Sequence, residues 1–129
     1  MNNHRETEIR NLATELVLKT YEADMCAKIE GTKLSEDIVD LSFEVSSAIA
    51  KAFSSLQDID FESQMLQALK FMKRISRLTN LVKGKVRKEW LSSLRKTVDT
   101  LQIEIEACIL SAQALNIDEL SPKLEKACI

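Results

Sequence analysis

The 129-residue sequence predicts an all-α protein, an antiparallel up-down four-helix bundle finished by a short C-terminal helix or tail. Three observations carry that expectation. Only two glycines and one proline punctuate the chain, so its connections must be few and short. No run of alternating β-branched residues marks a strand. Four long stretches repeat their apolar residues at intervals of three and four, which stacks them on one face of a helix. With 45% hydrophobic and 29% charged residues, the composition is that of a soluble globular protein long enough to bury a core without staples.

The first helix is expected over about 6–29, with Ile9, Leu12, Ala13, Leu16, Val17 and Tyr21 on a wide apolar face. Gly31 is its expected left-handed cap, and His4 precedes it in a frayed end. The second, over about 35–55, opens on Ser35 as N-cap, followed by Glu36 and Asp37 where the helix dipole favours negative charge. Ile38, Leu41, Val45, Ala48, Ile49, Ala52 and Phe53 mark its buried side. Phe43 and Ala50 lie off that line, so the helix either sits centrally or meets a second subunit. Asp58 or Asp60 caps the third helix, over about 61–82, which turns Met65, Leu69, Met72 and Ile75 inward. Val82-Lys83-Gly84-Lys85 supplies a glycine-centred reversal. The fourth helix, over about 85–115, carries Leu91, Leu94, Val98, Leu101, Ile105, Cys108, Ala112 and Leu115 in the alternating spacing of a left-handed bundle seam. Asn116-Ile117-Asp118 is expected to end it, and Ser121-Pro122 to open a terminal turn within a tail over 116–129. The whole chain reads as one domain.

Charge is distributed unevenly. Between Lys70 and Lys96 lie ten basic residues, Lys70, Lys73, Arg74, Arg77, Lys83, Lys85, Arg87, Lys88, Arg95 and Lys96, against the single acid Glu89, a segment of +9. The remaining residues sum to −11, so the overall −2 conceals two opposite fields. Lys70, Lys73, Arg74 and Arg77 recur at i, i+3, i+4 and i+7, on one helix face, where like charges repel by about 0.2–0.5 kcal/mol per pair. A polyanion or an acidic neighbour would relieve that repulsion, and phosphate is the usual candidate. These ten cations are the candidate nucleic-acid-binding residues. Trp90, the only tryptophan, lies beside them, either as core filler or as a stacking surface for an unpaired base.

Other chemistry finds no support in the residue pattern. Cys26, Cys108 and Cys128 are odd in number and widely spaced, with no Cys-x-x-Cys and no clustered histidine, so neither a disulfide framework nor a metal site is expected. Cys108 falls on an apolar stripe, as a small core residue does. There is no glycine-rich phosphate loop, nucleophile elbow or Glu-x-x-His pair, and no enzyme or cofactor is expected. The N-terminus lacks the apolar core of a signal peptide and no segment approaches a membrane span, which points to a cytoplasmic protein.

Leu34-Ser35-Glu36-Asp37-Ile38, the small-residue run Ala48-Ile49-Ala50-Lys51-Ala52-Phe53 and the amphipathic stretch 61–78 resemble a family of bacterial four-helix-bundle proteins. The family includes the products of intervening sequences in 23S ribosomal RNA genes and the accessory variability determinants of diversity-generating retroelements. The resemblance covers roughly residues 9–110. At the end of helix two the family reads Asn-Ile-Ala-Glu-Gly-Phe. This chain keeps Ile49, Ala50 and Phe53 but has Ala48, Lys51 and Ala52 in place of the others, departures that sit better with the retroelement branch. The resemblance implies a non-enzymatic homo-oligomeric ring, commonly a pentamer, and in the retroelement branch such a ring binds nucleic acid and docks on a reverse transcriptase.

Two functions follow as expectations. In the first, the chain is an accessory protein whose basic hairpin neutralises RNA or DNA phosphates with little sequence preference. In the second, the hairpin pairs with acidic surfaces of other subunits or of a protein partner, without nucleic acid.

Overall fold

A computed structural model describes residues 3–26, 34–54, 58–84 and 86–127, and its regular elements are four α-helices. They are α1 (Asn3–Cys26), α2 (Leu34–Ser54), α3 (Asp58–Leu81) and α4 (Lys88–Ala127). The all-α four-helix bundle read from the sequence is the architecture observed.

Each helix packs against its two neighbours in the order α1, α2, α3, α4 and back to α1, so none is central. Hydrogen bonds between side chains fix the antiparallel register. Thr20 and Ser42 hydroxyls meet at 2.9 Å between late α1 and early α2. Arg95 donates to Asn80 between early α4 and late α3. At the opposite end, Gln113 Nε2 donates to Glu62 Oε1 at 2.8 Å. The end of α1, the start of α2, the end of α3 and the start of α4 therefore share one end of the bundle, called the closed end below.

The core is drawn from the expected stripes. Ile9, Ala13 and Leu16 of α1, Val45, Ala48, Ile49 and Ala52 of α2, and Met65, Ala68, Met72 and Ile75 of α3 meet the Leu91-Leu94-Val98-Leu101-Ile105-Cys108 seam of α4. Small buried residues on both α2 and α3 let this pair pack extensively, as close helix approach requires. Phe53 leans on Phe61 with ring centroids 5.8 Å apart, and the Arg10 guanidinium sits 5.3 Å from the Phe53 ring. Phe43 and Ala50 face outward instead, as their offset from the buried line of α2 requires.

Several element ends differ from the expected ones. α4 runs on to Ala127, through the break expected at Asn116-Ile117-Asp118 and past Ser121-Pro122, which therefore do not open a separate element. Asn and Asp cost a helix under about 0.7 kcal/mol each relative to Ala, too little to end one alone, and an interior proline forfeits one backbone hydrogen bond. α2 begins at Leu34, so Ser35 is already inside it; α3 begins at Asp58, earlier than expected, and α4 at Lys88, later. α1 includes His4, which is exposed in its first turn. The expected cap Gly31, and Cys128 in the C-terminal tail, lie outside the described residues. The α3–α4 reversal is as read: Gly84 has φ +86°, a conformation that glycine adopts without a Cβ penalty. Among the described residues no helix is long and apolar enough to cross a membrane.

Candidate nucleic-acid interface

The closed end is held rigidly before any cation is considered. Trp90 Nε1 donates to the Lys19 carbonyl at 2.8 Å, and Lys19 Nζ donates to Thr97 Oγ1 at 2.7 Å, stitching α1 to α4. Trp90 is half-buried and its ring packs against the core, as core filler does. Thr20, Ser42, Thr79 and Thr97 are buried, and each hydroxyl donates to a carbonyl one turn earlier, from 2.6 to 3.3 Å. No buried side-chain nitrogen or oxygen among the described residues lacks a partner.

Onto this frame α3, the reversal and α4 bring nine of the ten predicted cations; Lys85 lies outside the described residues. Lys70, Lys73, Arg74 and Arg77 are all exposed on α3, because Met65, Ala68, Met72 and Ile75 claim the opposite face. Lys83 follows in the reversal, Arg87 precedes α4, and Lys88 and Lys96 are exposed on its first turns. Arg95 is half-buried and oriented by its bond to Asn80. Among the described residues, none of these nine makes an ion pair with a carboxylate.

Six of the nine line one of two grooves, and Lys70, Lys73 and Arg87 line neither. Arg74 and Arg77 line a shallow one of about 410 Å³ between α3 and α2, whose other wall carries Asp37, Asp40 and Leu41. Lys83, Lys88, Arg95 and Lys96 line a larger one of about 820 Å³ along α4, beneath the α3–α4 reversal, with Asp99 as its one acid. Its floor is apolar, formed by Val86, Leu91 and the exposed Ile103. The groove also starts at the N-terminal turn of α4, where unbonded backbone N–H groups and the helix dipole favour anions.

Sequence reading did not single out Asp37 and Asp40 as neighbours of the α3 arginines, nor Val86 and Ile103 as part of a groove. The second was readable, since Ser92, Lys96, Asp99 and Ile103 follow one another at steps of four, three and four on the outer face of α4. The first depends on which helices pack together.

Chemically, the arrangement is suited to anions, since its cations carry no carboxylate partner among the described residues. The Cys108 thiol is buried in the core, and burial pushes its pKa up, the nearby Arg5 charge opposing, so the reactive thiolate is scarce. Among the described residues no group of three or more His, Cys, Asp or Glu is placed to hold a metal ion.

No family model matches the sequence, and no curated protein matches it significantly. Among solved structures, the chain is similar to a protein of unknown function from the S23 ribosomal protein family of Bacteroides thetaiotaomicron, with a TM-score of 0.74. The match covers 81% of this chain and 97% of that one at 13% identity, a likeness of fold.

Proposed function

We propose that the chain is a non-catalytic, cytoplasmic accessory protein that binds RNA or DNA through the basic closed end of its bundle. In this reading it belongs with the ribosomal-RNA intervening-sequence and retroelement accessory proteins. It assembles as a homo-oligomeric ring, a pentamer if it follows the number that resemblance implies, and assists the reverse transcriptase of a diversity-generating retroelement. The observation that carries the reading is the set of nine cations on α3, the reversal and early α4 with no carboxylate paired to them among the described residues. Phosphates are the usual partners of such a set, and the counterions they displace make binding steeply dependent on salt. The likeness to an S23-family structure supports the fold side of the proposal. The test is an electrophoretic mobility assay with labelled RNA and single-stranded DNA at about 50 mM salt, repeated at about 200 mM. A shift that weakens sharply at the higher salt is expected; no shift at the lower salt overturns the proposal.

A second reading, a protein-interaction bundle without nucleic acid, is favoured by the exposed Leu18, Tyr21 and Phe43, each more than half accessible. Under it, the cations meet acidic surfaces of other subunits or of a protein partner, and added RNA competes with no assembly.

A further inference from the structure

Resting on the nucleic-acid reading, we infer that the ligand is a single strand, seated in the groove along α4. Its phosphates lie on Lys83, Lys88, Arg95 and Lys96, and its bases on the aliphatic floor of Val86, Leu91 and Ile103. The groove separates itself from the α3 stripe by its charge. Asp37 and Asp40 face Arg74 and Arg77 across the α2–α3 groove and repel a phosphate as it arrives. The α4 groove gathers four cations against Asp99 alone. Its volume of about 820 Å³ falls in the range of about 300–1,000 Å³ that holds small organic groups, and from Lys88 to Ile103 it runs about 22 Å along the helix axis.

The floor decides between single strand and duplex. A duplex presents sugar and phosphate to such a surface and keeps its bases stacked inside, leaving Ile103, 63% exposed, without an apolar partner. A single strand turns bases outward and covers it. With no aromatic side chain in its lining, the floor is aliphatic, and the binding should be weaker than on an aromatic platform and indifferent to base identity. Arg95, held by Asn80, is the one cation of this groove with a fixed direction, suited to a bidentate grip on one phosphate; the lysines follow the strand as point charges.

The experiment is fluorescence anisotropy on the full chain with labelled 12-mers of uridylate and of thymidylate and a 12-base-pair duplex. The variants are K83Q/K88Q/K96Q, R74Q/R77Q and I103S, all changes at exposed positions. Either single strand should bind at least about fivefold tighter than the duplex. The triple lysine variant should weaken single-strand binding about tenfold or more and flatten its salt slope by about 2, at about 0.7 for each phosphate no longer neutralised. I103S should weaken the single strands and leave the duplex unchanged, and R74Q/R77Q should cost less than about threefold. The uridylate and thymidylate arms report whether RNA or DNA is preferred. A duplex bound as tightly as the single strands, or a weakening that follows Arg74 and Arg77 instead, overturns the inference and leaves the proposed function standing. Wild-type protein that binds no polynucleotide overturns both.

Discussion

The two ends of the bundle treat charge differently. At the end opened by α1, Arg5 reaches Glu104 at 3.9 Å and bonds Ser111, while Arg10 pairs with Glu6 at 3.1 Å and covers the Phe53 ring. Both arginines are engaged inside the molecule. At the closed end Lys19 of α1 pairs with Glu15 at 2.9 Å, but the nine described cations of α3, the reversal and α4 have no such carboxylate, although Asp37 and Asp40 border the same groove as two of them. Folding pairs the arginines of one end and leaves these nine cations of the other without a carboxylate. What separates them is geometry: the acids of α1 and α4 fall on faces that meet their arginines, whereas α3 turns its cations straight outward.

The largest effect expected from this contrast is on binding. Reversing Lys73, Lys83 and Lys96 to Glu should remove polynucleotide binding in a mobility assay while the helical circular dichroism signal stays unchanged, since all three are exposed. Loss of helicity along with binding would mean that the closed end is structural. Next in size is the core that both ends share. Leu94→Ala and Leu101→Ala, at fully buried positions near and away from the closed end, should each destabilise by about 2–5 kcal/mol in urea unfolding monitored by circular dichroism. A marked cost at one of the two sites only would show that the ends unfold separately.

Smaller and opposite in sign are the charge terms themselves. Glu104→Gln removes the partner of Arg5 and should cost up to about 1 kcal/mol, as half-exposed ion pairs do. Lys73→Gln, at the end where repulsion is unrelieved, should leave stability unchanged or raise it by about 0.2–0.5 kcal/mol. Equal losses at both positions, read by urea midpoints at low salt, would erase the contrast. The smallest effect is at Cys108. Its folded pKa is raised above the ordinary thiol value of 9.0, so the associated stability is complete below that value and is lost as pH rises through it. In a Cys26→Ser/Cys128→Ser background, urea midpoints should fall above about pH 9, and Cys108→Ala should flatten that fall.

Much of this was legible in the residues because it is local. The Leu91-to-Cys108 seam, the Met65-Met72-Ile75 stripe and the Gly84 reversal depend on intervals of three and four and on one backbone conformation, and each is observed. The outward cations of α3 follow from the same intervals by exclusion. What the sequence hid depends on pairs distant along the chain. Trp90 bonds a carbonyl 71 positions earlier, which no spacing announces, and Thr20 meets Ser42 inside the core although both types read as surface residues. The opposition of Asp37 and Asp40 to Arg74 and Arg77 required knowing that α2 packs on α3. The end of α4 was misplaced for another reason: Asn116 and Asp118 weaken a helix only slightly, and a local breaker signal does not weigh that cost against continuation.

The central claim is that the cations of the closed end stand ready for phosphates, and the slope of binding constant against salt concentration measures it most directly. With four groove cations each neutralising a phosphate of a single strand, a logarithmic plot should fall with a slope of about −3, at about −0.7 per phosphate neutralised. A slope near zero, or no binding to titrate, would contradict it.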